Sequence, residues 1–237
     1  MSQRLNQIWK MKKGLKNYIK ETSEKIKKRK SYYYFFGNIP VYIKDSLPQN
    51  VDIKTVLDAI ERVIPKFLTY DLEMVVVGIV PEFEERQVNA FYKDGTIYVT
   101  SEQSDEDDMV DDIVHELAHS VEAFASQDIY SDAAIEQEFL GKRTKMFDIL
   151  AQEGYNIPAR YFLDTEYDED FDMFLYKVVG YPLLATLTMG LFSSPYATTS
   201  LREYFAKGFE EYFIGDRRYL KKISPRLYTK ISELFDI

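Results

Sequence analysis

The chain has 237 residues, 46% apolar and 15% aromatic, with no cysteine and a formal net charge of −9. Such a composition supplies a sizeable core, excludes global disorder and suits one large domain or a domain with an appendage. Without cysteine there are no disulfides and no thiolate metal sites, so a metal would have to be held by His, Asp or Glu.

Residues 1–30 carry eleven Lys/Arg against Glu21 and Glu24, a net of +9, which leaves −18 for residues 31–237. Leu5, Ile8, Trp9, Leu15, Ile19 and Ile26 predict a helix over 3–29 with a narrow apolar stripe. Residues 1–35 are therefore expected to form a basic helical extension. It either lies on the acidic body or engages nucleic acid, an anionic membrane or an acidic protein scaffold. The extension lacks the apolar run of a secretory signal. Residues 175–192 are interrupted by Lys177, Gly180, Pro182 and Gly190, which suits a buried helix or pair of helices rather than a transmembrane segment. A soluble, cytoplasmic protein is expected.

Along the rest of the chain, the aromatic run and PVYI in SYYYFFGNIPVYIKD predict a short strand. Asp52 is placed to cap a helix bearing Ile53, Val56, Leu57, Ile60, Val63, Ile64 and Phe67 on one face. EMVVVGIV (73–80) is short and β-branched and reads as a buried strand. In NAFYKDGTIYVT (89–100), two β-prone runs flank Asp94-Gly95, a dipeptide suited to a tight hairpin. Residues 104–126 predict one long helix, 132–152 and 168–192 further helix, and 199–213 and 224–235 a final helical group. Early strands and late helices make the class α+β.

Both histidines of the chain, His115 and His119, lie in DDIVHELAHSVE (111–122). With Val110 at zero and ~100° per residue, Ile113, Val114, Leu117, Val121 and Phe124 form one apolar stripe, and the histidines fall opposite it near 140° and 180°. Four-residue spacing stacks two imidazoles so that they can converge on one ion. Two His, one further protein ligand and a water describe an open, catalytic zinc site. Glu116 sits beside that face without ligating and is the expected general base toward a zinc-bound water. This is the His-Glu-x-x-His pattern of metallopeptidases. The third ligand must come from elsewhere. Glu122 faces the same way and is expected to orient a histidine. Asp111 is a weaker candidate of the same kind, because the acidic run from Glu106 to Asp112 also complements the helix dipole.

PYATTSLREYFAKGFEEYF (195–213), taken with HELAHSVE, resembles the peptidase domain of the anthrax toxin lethal factor-like family. There a histidine pair is completed by a glutamate opening a Glu-aromatic-Phe-Ala-x-x-Phe helix, with a tyrosine seven residues earlier. The resemblance covers about 89–126 and 194–237. It implies a zincin-like fold, in which a small twisted sheet and an active-site helix precede a mainly helical C-terminal half. It implies Zn2+ bound by His115, His119 and Glu203, water activated by Glu116, and an oxyanion hydrogen bond from Tyr196. It also implies that an extended peptide pairs along the hairpin strand GTIYVT as a sheet edge. The chain departs from the pattern in two ways. The separation of 84 positions from His119 to Glu203 predicts a helical insertion over about 128–192, and Lys207 stands where an acid is expected. Glu210 is the rival third ligand, and Tyr204, Phe205, Phe209, Tyr212 and Phe213 read as the core face of their helix.

The expectation is a zinc metalloendopeptidase acting on polypeptide, with the peptidase domain at 36–237. The alternative is a catalytically silent binding module of the same fold, whose basic N-terminal helix engages nucleic acid or an acidic scaffold.

Overall fold

The computed structural model describes residues 33–235, Gln87 excepted, so the helix expected over 3–29 lies outside the described residues. β1 (Tyr33–Phe35) turns through Phe36 and Gly37, both at positive φ, into β2 (Ile39–Ile43). β1 pairs with β2, so the sheet begins three residues before the boundary expected at residue 36. The Asp52 carboxylate accepts from the Lys54 amide and opens α1 (Ile53–Val63). That helix stops ahead of Pro65, whose ring disfavours helical backbone before it. Val63 and Phe67 consequently fall at or beyond its end and are exposed, whereas Ile53, Val56, Leu57 and Ile60 are buried.

β3 (Met74–Val77), α2 (Pro81–Arg86), β4 (Ala90–Lys93) and β5 (Thr96–Val99) follow. Asp94 and Gly95 turn the β4–β5 hairpin at φ of 48° and 77°, the backbone a two-residue primed turn requires. The strands form a five-stranded mixed sheet in the order β1-β2-β3-β5-β4. The inner pairings are parallel and the two outer ones antiparallel. This order corrects one expectation. GTIYVT is β5, hydrogen-bonded on both sides, and the sheet edge is β4, AFYK. Val75, Val77, Ile97 and Val99 are fully buried, and their register aligns β5 with β3, which pushes β4 outward.

α3 (Glu106–Tyr130) is one long helix, capped by the Asp105 side chain on the Asp108 amide. Glu106, Asp107 and Asp108 occupy its first turn, where the helix dipole favours negative charge. It packs on β4, β5 and α1 through Ile113, Val114, Leu117 and Val121, all fully buried. The opposite side is not surface. Glu116, His119, Ser120 and Glu122 are each at most 9% exposed, because a second helix covers them.

The helical half begins with α4 (Ala134–Gln152). The stretch expected as helix over 168–192 is three short pieces: α5 (Glu169–Met173), a π-helix (Phe174–Gly180) and α6 (Tyr181–Leu187). No helix among the described residues is long and apolar enough to cross a membrane. The chain closes with α7 (Leu201–Phe213), α8 (Arg217–Ile223) and α9 (Pro225–Phe235). Two cations that look like surface in the sequence hold this half together. Arg143 is 1% exposed, lies against the Phe139 and Phe171 rings and donates to the Asp164 carbonyl. Lys142 donates to Ser224 Oγ at 2.6 Å and stands over Tyr204. Glu138 of α4 accepts from the Arg226 and Leu227 amides that open α9 and from the Tyr204 hydroxyl, tying α4, α7 and α9 to one carboxylate.

Gly208 lets α9 lie close against α7, since a methyl group there would overlap the Leu227 side chain. Gly208→Ala would gain up to about 1 kcal/mol in helix propensity, less than the ~1–3 kcal/mol that overpacking costs. Net destabilisation is expected in urea melts, relieved in part by trimming Leu227; an unchanged midpoint would show that the two helices are not in contact there.

Candidate metal centre

The centre is built where α7 lies antiparallel across the polar side of α3. Arg202 meets Glu122, Glu203 meets both histidines, and Glu210 reaches His115. Ser200 caps α7 by accepting from the Glu203 amide. Ser200-Leu-Arg-Glu203 has the spacing of a capping box, in which the glutamate would turn back to the cap amide. Here its carboxylate is instead directed at the imidazoles.

Glu203 Oε2 lies 3.0 Å from His115 Nε2, and Oε1 lies 3.5 Å from His119 Nε2. One ligand atom from each of the three residues falls within 4.8 Å of the others. Bond lengths of ~2.0–2.1 Å in a tetrahedron separate neighbouring ligands by ~3.3 Å. Two imidazole nitrogens and one carboxylate at these separations fit a divalent cation that favours nitrogen and oxygen. The geometry also separates the two candidate glutamates. Glu210 faces the other ring nitrogen of His115, Nδ1, at 3.5 Å, outside the group that could share an ion. Asp111, exposed on the first turns of α3, makes no hydrogen bond or ion pair of its own to the histidines.

Each histidine is thus held at both nitrogens. His119 Nδ1 is 3.5 Å from Glu122, which also accepts from Tyr130 Oη at 2.7 Å and Arg202 Nε at 2.8 Å. Glu210 is bridged to Lys207, which stands at the position where the family pattern leads one to expect an acid. Carboxylates behind ligating histidines fix ring orientation and tautomer and raise ligand basicity. Burial opposes the charge on His115, but Glu203 and Glu210 outweigh it and push its pKa up to about 10. Burial is likewise outweighed at His119, where Glu122 and Glu203 push the pKa up to about 9. Burial works against ionisation of Glu203, yet both histidines hold its carboxyl well below the usual range.

Glu116 is buried beside this group and is not among the three ligand candidates. Its Oε2 accepts from the Tyr92 amide of β4 at 2.7 Å. Burial raises its pKa, partly offset by the two histidines. Tyr196 opens a 3₁₀ turn (Tyr196–Thr198) whose threonine hydroxyls are bonded back to Pro195 and Tyr196 carbonyls. Its ring centroid is 6.4 Å from that of His115, and burial and then Glu203 raise its pKa, so its hydroxyl remains a proton donor. His115, Glu116, His119, Tyr196 and Glu203 share one cleft of about 440 Å³, walled by β4 on one side and α7 on the other. The aromatic residues Tyr204, Phe205, Phe209, Tyr212 and Phe213 are core, as expected. The Tyr92 amide, Tyr130 and Arg202 were not foreseeable as site groups. The first belongs to β4, the second to the far end of α3 and the third to α7, and each is joined to the site only by the folded contact it makes.

A histidine pair whose pKa values stand above 6.5 contributes stability that is complete below that pH and is lost as pH rises through about 9 to 10. The same protons must leave when a metal binds. Zinc loading of metal-free protein at pH 7 should therefore release about one to two protons and weaken as pH falls. Calorimetry in buffers of different ionisation enthalpy measures this, and buffer-independent heats would contradict it.

No family model, no curated protein and no solved structure matches the chain.

Proposed function

We propose that the chain is a zinc-dependent metallopeptidase with a zincin-like catalytic arrangement, similar to the lethal factor-like peptidases. The observation that carries this reading is the meeting of His115 Nε2, His119 Nε2 and the Glu203 carboxylate, drawn from two helices, beside a second carboxylate, Glu116, that stays out of the cluster. A purely structural metal site has no use for Glu116, whereas hydrolysis needs a base there.

A metal held by His115, His119 and Glu203 would supply Lewis acidity and make water acidic enough to lose a proton near neutral pH. Glu116 takes the proton from the attacking water and passes it to the leaving amine, the work of a general base and then a general acid. One of its oxygens is pinned by the Tyr92 amide, which fixes where the other points. Tyr196 donates a hydrogen bond to the oxyanion as the carbonyl becomes tetrahedral. Glu122 and Glu210 hold the imidazoles from behind. Extended substrate pairs with β4, whose alternating hydrogen bonds aim the Ala90 amide and carbonyl and the Tyr92 carbonyl away from β5, the Tyr92 amide being held by Glu116.

Glu116→Gln should bind zinc as the wild type does and lose about 10²–10⁴-fold in peptide hydrolysis. Equal turnover by the two proteins in a peptide-library digest would remove the base from the scheme. Tyr196→Phe should lower kcat by up to about 10²-fold, with KM and zinc content little changed. A change confined to KM would assign Tyr196 to binding instead.

A further inference from the structure

Two cations line the cleft, Arg202 and Lys207, and they are not equivalent. Lys207 is committed to Glu210 and its side chain is 25% exposed. Arg202 is 59% exposed, although its partner Glu122 is only 7% exposed. Glu122 is already served by the Tyr130 hydroxyl and faces His119 Nδ1, so its negative charge is spent within the protein. Arg202 gives it Nε alone. The remaining donors of the guanidinium fork engage no described residue, and Arg202 lines the same cleft as His119 and Glu203.

On the metallopeptidase reading, we infer that Arg202 is a specificity-determining residue whose Nη fork binds a substrate carboxylate beside the cleaved bond. A planar fork with Nε fixed is pre-aimed, so it can take a carboxylate through two parallel N–H···O bonds at little cost in side-chain entropy. A neutral carbonyl satisfies it less well. The carboxylate belongs to an Asp or Glu side chain, or to a free C-terminus, within about two residues of the scissile bond, the reach of extended chain at ~3.3 Å per residue. Arg202 thereby has two duties: Nε braces the Glu122–His119 contact, and the fork reads the substrate.

The two duties separate in one experiment. Zinc-loaded protein digests a peptide library, and a cleaved peptide is remade as matched pairs, Glu against Gln at each flanking position and free against amidated C-terminus. Wild type should favour the carboxylate member of one pair by about tenfold in kcat/KM, the scale of a charge-assisted bond in a partly solvated cleft. The side-chain and C-terminus pairs tell which source is read. Arg202→Gln should bring that ratio near one. Tyr130→Phe, which loosens Glu122 without touching the fork, should slow both members and keep the ratio. A wild-type ratio near one, or a ratio unchanged in Arg202→Gln, overturns the carboxylate subsite while leaving the peptidase intact. Failure of the zinc-loaded wild type to cleave any peptide overturns both.

Discussion

Two imidazoles from α3 and one carboxylate from α7 meet mostly buried at the wall of the cleft, and the rest of the molecule is arranged so that they can. Removing three ionisable groups from water costs several kcal/mol per ion unless they are paired. Here each histidine has a carboxylate at both ring nitrogens, and Glu203 is shared between them. The supports reach outward from there. Glu138 fixes α7 to α4 and α9, Lys142 ties α4 to the α8–α9 junction, and the absent side chain at Gly208 lets α9 close against α7. The sheet supplies the other wall, with β4 reaching Glu116 through a backbone amide.

Local physics made much of this legible in the sequence. The Asp52 cap, the Asp94-Gly95 hairpin and the single helix through the histidines are each decided by a few neighbouring residues, and each is present. The apolar stripe of α3 identified its core face except at Phe124, which is exposed, and nothing local announces that α7 will cover the opposite face. Strand order escaped for the same reason: whether β4 or β5 lies at the edge depends on parallel pairing with β3, a contact across sequence. The broken helix between Glu169 and Leu187 reflects a π-helical stretch ending at Gly180, whose φ is 83°. Lys142 and Arg143 sit in GKRTK, which reads as a solvated run, and only tertiary aromatic neighbours explain their burial.

The departure at position 207 has a structural counterpart. Where the family pattern leads one to expect an acid, Lys207 is present, and the carboxylate facing His115 Nδ1 comes from Glu210, three positions later on α7. Lys207 then bridges to that same glutamate. Burial alone would raise the Glu210 pKa, but His115 and Lys207 together lower it, so the group remains a hydrogen-bond acceptor for the ring. Both histidines thus end with the same arrangement behind them, imidazole to carboxylate to cation, with α7 contributing both cations.

The hold of Glu116 on Tyr92 limits how a guest chain can lie on the sheet. Of the outward-facing main-chain groups on β4, the amide of Tyr92 is already engaged by Glu116, so any main-chain pairing along that edge is interrupted in the cleft of the candidate metal group. A polypeptide laid there would have one main-chain anchor fewer. On the proposed peptidase reading, discrimination among sequences would then fall to side chains along the cleft.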